Sequence, residues 1–370
     1  TLPLPFPCRL EPITQRALRP VPPSHLSPRE GSAHLRGKDA QVNHAGLLIA
    51  CVLACVLQMT SAANAQTNPA QNYPAKPIRL VVPFAPGGST DLIARIIGQE
   101  LEKSWKQTVI VENRPGASGN IGLDYVAKSA PDGYTLIFGH VGTFGFGPSL
   151  FAKLPYDPVR DFAAVNLFAM VPNLLVVHPS LPVKTSRELI TLAKSRPGAI
   201  NYASSGPGSA SHLAMENFKL LSKTDIVAIS YRGTGPMMTD LIAGQTSLTL
   251  TGFPPLQPHV QSGRLRGIGI GSTKRIAQMP DMPTIAESGV PGYESTTWFG
   301  PLAPAKTPRE IIVKLNTELN QVLQRPEVKK RFAADGIEAL GSTPEQFGDY
   351  VKAEITRWAR VVKDAGVRLE

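Results

Sequence analysis

"LVVPFAPGGSTDLIARIIGQEL", residues 80–101, decides how the chain is read. Ile78, Leu80, Val81 and Val82 form an apolar run of strand type, whereas Leu92, Ile93, Ile96, Ile97 and Leu101 fall on one face of a helix. Between them the chain turns on Gly87 and Gly88. Two adjacent glycines let backbone N–H groups come close to a ligand, and Ser89 or Thr90 can cap the helix whose positive dipole end faces the same spot. A strand, a tight glycine turn and a helix start in that order suit an anion.

Outward from this unit, strand-like runs alternate with helical patterns. Strands are expected at 78–84, 108–112, 134–138, 174–177, 200–204, 226–231, 247–251 and 265–270. This alternation is the α/β signature and predicts parallel sheets. Helix starts are expected where Thr185/Glu188, Thr307/Glu310 and Thr343/Gln346 have capping-box spacing, the last two with Pro308 and Pro344 at the first helical position. Two long C-terminal helices, about 308–323 and 344–365, follow. Three more loops resemble the first in character: "GHVGTFGFG" (139–147), "SGPGSASH" (205–212) and "RGTGPMMTD" (232–240). Each follows a strand, is glycine-rich and carries hydroxyls, and the carboxyl edge of an open α/β sheet is where ligands bind. Four such loops suggest two sheets facing each other across a cleft.

A chain of 370 residues is expected to hold about two domains, and 42% hydrophobic with 18% charged residues is ordinary for a globular protein. Residues 1–44 begin with a Pro- and Arg-rich stretch lacking apolar periodicity, read as disordered or as an over-extended gene start. Residues 45–65 supply the apolar and small-residue parts of a signal peptide behind Arg36 and Lys38, with cleavage expected after Ala65. The apolar stretch, Ala45 to Met59, is short of the roughly 20 residues that span a bilayer. Cys51 or Cys55 after small residues leaves a lipoprotein as the less favoured alternative to a free periplasmic protein. No cysteine follows residue 65, so neither a disulfide nor a thiolate metal site is available there. The part after residue 65 carries a net charge of +7 in scattered Lys and Arg, which excludes a nucleic-acid module and leaves a mild field for anionic ligands.

Common catalytic patterns are missing: no phosphate loop, no dinucleotide fingerprint, no HExxH and no nucleophile elbow. Ser209 and His212 suggest a nucleophile and base, but Ser209 or Ser211 as a helix cap explains the spacing better. His140 and His178 have no partner at ligand spacing, so neither a metal nor a cofactor is expected. Asp91 either senses a ligand amine or stabilises the first helical turn. Phe84 and Tyr231 read equally as cleft lining or core edge.

The run from Tyr73 through Leu101, together with "VENRPGASGNIG", "NYASSGPGSASHL", "MPTIAESGVPGYE", "WFGPLAPAKTP" and "EITRWARVVKDAG", resembles the substrate-binding receptors of tripartite tricarboxylate transporters, the Bug family. The resemblance covers about residues 73–368. It implies a two-lobed periplasmic binding protein of the type II-like, Venus-flytrap kind, each lobe a mostly parallel sheet flanked by helices. Lobe 1 is expected from 73–171 with 296–370 and lobe 2 from 172–295, where the chain changes character at "VPNLLVV" and "YESTTWFG". A small carboxylate is then held by backbone amides, hydroxyls and water. By the same resemblance Phe84, Gly88, Ser89, Thr90 and Asp91, with His140 and Thr143, line one wall. Ser204, Ser205, Gly208, Ser209, His212, Tyr231 and Gly233 line the other. The implied partners are transporter membrane subunits, and the receptor itself is expected to be a monomer. Two alternatives stay open: a secreted enzyme acting on a small organic acid through Ser209, His212 or Asp91, and a ligand-sensing receptor without transport.

The chain departs from the family at one place. Where relatives typically read "GQVDVMFD", it reads "GQTSLTLTG" (244–252), so the two acidic positions are Ser247 and Thr251. The change is either neutral in a strand or makes the pocket wall at Thr251 less acidic.

Overall fold

The computed structural model describes residues 69–364. The readings of 1–44 and 45–65, including the cleavage site and Cys51 and Cys55, lie outside the described residues. The chain runs β1 (Ile78–Val82), α1 (Ser89–Trp105), β2 (Val109–Asn113), α2 (Asn120–Ala127), β3 (Thr135–His140), a wide π-type turn (Val141–Phe146), α3 (Gly147–Leu150), β4 (Phe162–Ala164) and β5 (Ala169–Val177). It continues through α4 (Ser186–Ser195), β6 (Asn201–Ser204), α5 (Ala210–Ser222), β7 (Val227–Ser230), α6 (Thr234–Ile242), β8 (Leu248–Gly252), α7 (Phe253–Gln261) and β9 (Arg266–Ile270). The last elements are β10 (Thr296–Pro304), α8 (Arg309–Gln324), α9 (Pro326–Ala334), β11 (Glu338–Ala339) and α10 (Pro344–Asp364).

The strands join in the order β2-β1-β3-β10-β5-β8-β6-β7, with β4, β9 and β11 attached off this path. Parallel pairing, expected for most of each sheet, holds for β1 with β2 and β3 and for β6 with β7 and β8. The sheet is nevertheless mixed, because β5 and β10 run antiparallel to every neighbour they meet. β5 belongs to both ends of the array. Its first residues, Ala169 to Pro172, pair with β10, and Asn173 to Val177 pair with β8. The path between the two strand–helix clusters therefore runs through β5 and β10.

Helix α1 covers one face of the β1–β2 edge, burying Ile93, Ile96, Ile97 and Leu101 on the apolar stripe read from the sequence. Helices α8 and α9 pack into the same core through Leu315, Leu319 and Phe332, while Tyr202, Phe218 and Leu250 centre a separate core beside β6 and β8. Helix α10 is fastened to β10 by Glu354, whose buried Oε2 accepts hydrogen bonds from Nε1 of Trp298 (3.0 Å) and of Trp358 (2.9 Å).

β10 and the first half of β5 were not expected as strands. Pro172, Gly300, Pro301 and Pro304 read locally as breakers, yet nearly every position of both strands is buried. Gly300 has a specific reason to be there, since a Cβ on it would lie 2.2 Å from the Asn166 carbonyl oxygen. Of the capping boxes, Thr343/Gln346 forms reciprocally: Gln346 N–H donates to Thr343 Oγ1 at 3.2 Å and Thr343 N–H to Gln346 Oε1 at 2.9 Å. Thr185 accepts from Glu188 N–H, but Glu188 reaches back to the amide of Lys184. The Thr307/Glu310 box does not form. Pro308 has an extended ψ of 138° and becomes the cap itself, so α8 starts at Arg309 and the buried Thr307 hydroxyl has no hydrogen-bond partner.

Urea unfolding separates these cases. Gly300→Ala is expected to cost about 2–3 kcal/mol through overpacking, and Thr343→Ala about 1 kcal/mol through loss of the cap. Thr307→Val is expected to be neutral or stabilising, because it removes a buried hydroxyl that bonds to nothing. A loss of about 1 kcal/mol on Thr307→Val, as for a working cap, would contradict the helix start seen here.

Candidate functional site

The turn after β1 places Gly87 at φ +94°, a left-handed conformation open to glycine, and Gly88 at φ −92°, an ordinary extended one. Gly88 is required for a different reason: a Cβ on it would approach Thr234 Oγ1, at the start of α6, to 2.8 Å. Gly88 then caps α1 without any side-chain bond, which leaves the first amides of that helix unclaimed by a cap side chain.

Three other helices begin at the same place. Ser209 caps α5 by accepting from His212 N–H, Gly233 precedes α6 and Gly252 precedes α7, the last two with no side-chain cap. All four cap residues line one cavity of about 40 Å³, room for roughly three waters or a carboxylate head. Each helix start contributes oriented N–H groups and the positive end of a dipole. Around them Ser89, Thr90, Thr234, Thr251 and Thr297 add hydroxyl-bearing side chains, and Phe84, His140 and Phe299 complete the wall.

The lining contains no Lys or Arg, and its one carboxylate is already spent. Asp91 Oδ1 accepts from Arg95 Nη2 (2.9 Å) and Asn113 Nδ2 (3.0 Å), while Oδ2 accepts from Arg95 Nε (3.1 Å) and the Gly87 amide (3.2 Å). Burial opposes ionisation, but the hydrogen bonds from Arg95, Asn113 and Gly87 outweigh it and hold the carboxyl below its ordinary range. Asp91 thus fastens the glycine turn to α1 and β2.

His140 ends β3 and stacks on Phe84 with ring centroids 4.5 Å apart. Its Nδ1 accepts from the Gly142 amide at 2.7 Å, which puts the proton of the neutral ring on Nε2. Full burial pushes its pKa down from 6.5 to about 3, so the ring is an uncharged donor at neutral pH.

Not every expected residue reaches the cavity. Phe84, Gly88, Ser89, Thr90, Asp91, His140, Ser205, Ser209, Gly233 and Thr251 line it. Tyr231 lines an adjoining outer cleft of about 730 Å³ that shares Phe84, Ala85, Ser205, Ser209 and Gly233 with the inner cavity. Thr143, Ser204, Gly208 and His212 belong to neither wall. Thr143 donates to the His140 carbonyl at 3.1 Å, Ser204 meets Ser230, and His212 Nδ1 accepts from the Gly208 amide at 3.1 Å, so they brace the lining from behind. Because His212 Nδ1 is occupied by Gly208, this ring nitrogen does not address Ser209, and Ser209 Oγ accepts from the His212 amide instead. Of the two positions where the family resemblance leads to an acid being expected, Thr251 faces the inner cavity, whereas Ser247 sits at the opposite end of β8 with its backbone bonded to His178 and Asn201. Thr297 and Phe299 were missed because they lie on β10, and Thr234 because only its glycine neighbours stood out. Among the described residues no group of three or more His, Cys, Asp or Glu gathers as a metal site would require.

The sequence model of the family described as "Tripartite tricarboxylate transporter family receptor" matches residues 93–367. Protein BugT of Bordetella pertussis is 40% identical over 302 residues, covering 81% of this chain and 93% of BugT. Among solved structures, R. palustris Rpa4515 with adipate matches at a TM-score of 0.78 and 40% identity, over 80% of this chain and 99% of its own. MatC from Rhodopseudomonas palustris with bound malate matches at a TM-score of 0.74 and 36% identity, over 78% and 100%. With a matching family model over most of its length and a relative of this similarity, the chain belongs to the tripartite tricarboxylate transporter receptor family, the Bug solute-binding proteins, and has their two-lobed α/β fold.

Proposed function

We propose that the protein is a periplasmic receptor that takes up a small carboxylate in the inner cavity and presents it to the membrane subunits of a tripartite tricarboxylate transporter. One observation carries the reading: four helix N-termini converge on a cavity whose lining has no cation and whose only carboxylate is neutralised by Arg95. An anion there gains oriented amides and dipoles at once without a buried arginine having to be desolvated. Neutral His140 adds a donor that repels an anion less than a carboxylate would, and Thr251 gives the wall a hydroxyl where the family resemblance leads to an acid being expected. The solved relatives are named with adipate and with malate, both carboxylates. Export is supported by the apolar segment 45–59 and its small-residue border.

Lobe closure belongs to the same proposal. Residues 73–171 with 296–370 form one lobe and 172–295 the other, and the connections pass along β5 and β10, where β5 changes partner at Pro172 and Asn173. The proposed lobes meet at the outer cleft, where Ser118 Oγ donates to the Pro207 carbonyl.

Calorimetric titration with a panel of carboxylates tests the reading. Ser89→Ala removes one hydroxyl and is expected to weaken binding by up to about tenfold, in line with about 0.5–1.5 kcal/mol for a hydrogen bond. Gly88→Val is expected to cost at least about a hundredfold, because its side chain enters the space shared with Thr234. A folded Gly88→Val protein with parental affinity would remove the cavity from this account, and a parent that binds no carboxylate would sink the function itself.

His140 gives a second check, on stability against pH. The unfolded chain takes up a proton on this ring near pH 6.5, whereas the folded chain resists it down to about pH 3. The unfolded state therefore holds more protons in that window, and the contribution to stability is complete above pH 6.5 and lost as pH falls. The expected slope from His140 is about 1.4 kcal/mol per pH unit below pH ~6. In urea unfolding at a series of pH values, His140→Asn should lose that part of the slope, and an unchanged slope would mean that the ring is not held neutral.

A further inference from the structure

We infer that Arg232 anchors a second acidic group of the ligand, and that the body between the two acids is apolar and unhydroxylated. This inference rests on the carboxylate reading of the inner cavity. The cavity of about 40 Å³ accommodates little beyond one carboxylate head, so the rest of any larger acid must extend into the adjoining cleft of about 730 Å³.

The cleft wall is informative by what its polar atoms are already doing. Pro83, Phe84, Pro115, Phe151 and Pro207 make it largely apolar. The Ser118 hydroxyl is committed to the Pro207 carbonyl. The Tyr231 hydroxyl donates to Asp240 Oδ2 at 2.9 Å. Ser205 and Ser209 both hydrogen-bond to the Ser211 hydroxyl, at 3.0 and 3.1 Å. Arg232 is the one charged residue of the lining, is exposed, and makes no hydrogen bond or ion pair among the described residues. It directly precedes Gly233, which lines both compartments, so its guanidinium stands within one side-chain length of the passage between them.

Two consequences follow from this distribution. A ligand with a second carboxylate finds a planar donor fork with no competing partner, the geometry that suits carboxylate best. A ligand with hydroxyls on its body sets them mostly against proline and phenylalanine, with only the lone pairs of wall hydroxyls already engaged by Pro207, Asp240 and Ser211 beside them, which selects against hydroxy acids.

The test titrates the parent and Arg232→Gln with glutarate, adipate and pimelate, with the matched monoacids pentanoate, hexanoate and heptanoate, and with malate. The parent is expected to bind at least one diacid about tenfold or more tighter than its matched monoacid, and tighter than malate. Arg232→Gln is expected to remove that preference while changing monoacid affinity by less than about twofold, and Arg232→Lys to restore part of it. Equal affinity for diacid and monoacid in the parent, an undiminished preference in Arg232→Gln, or tightest binding of malate would each overturn the inference. If the parent binds none of these acids, the carboxylate reading fails and this inference with it. Monoacid binding without a diacid preference leaves the former standing and removes only the latter.

Discussion

Four helix starts crowded around one small cavity impose the constraint on which the rest of the structure depends. Each brings unpaired first-turn amides and a partial positive charge, and like charges brought together repel unless a negative group lies between them. The protein does not supply that group, because Asp91 turns toward Arg95, Asn113 and Gly87. The loops are composed accordingly. Glycines at 88 and 252 let Thr234 and Ser89 come within distances that a Cβ would block, and hydroxyls fill the gaps between amides.

Holding such an arrangement in register requires rigid support from distant parts of the chain, and β5 and β10 provide it. Both strands are buried over almost their whole length and pair with strands of each cluster or with one another. Glu354 ties α10 to β10 through the Trp298 indole while also accepting from Trp358 one turn along its own helix, and Asn316, Asn320 and the Ser342 carbonyl bind the C-terminal region back to the start of β5 through Asn166. Buried polar groups of this kind are costly when unpaired, so each fixes the position of its neighbours. The site's walls are loops and helix starts carried on buried strands.

The inner layer of the site was legible because it rests on local signals. Glycine turns after apolar runs, hydroxyls at helix starts and an amphipathic stripe behind them are all readable within ten residues, and Phe84, Ser89, His140 and Ser209 stand where they point. The second layer was not legible. Thr143, Gly208 and His212 occur in the same glycine-rich loops as the lining residues, and only the path of the chain shows that their polar atoms face backbone groups behind the wall. Thr307 illustrates the reverse error, a correct capping pattern defeated by the extended ψ of Pro308.

By itself the sequence determined the alternation of strands and helices, the four cavity-lining loops and the family, since each depends on contacts between near neighbours or on runs of matching residues. Only the tertiary structure decided that β10 and the first half of β5 are strands, that β5 and β10 run antiparallel to their neighbours, and that Arg232 is left unpaired beside an apolar cleft. Those outcomes depend on pairings between residues more than a hundred positions apart, such as Pro172 with Thr296. Local propensity votes against a strand through proline and glycine, but burial on both faces and a full ladder of hydrogen bonds outweigh it. That balance is set by what packs against the segment and not by the segment alone.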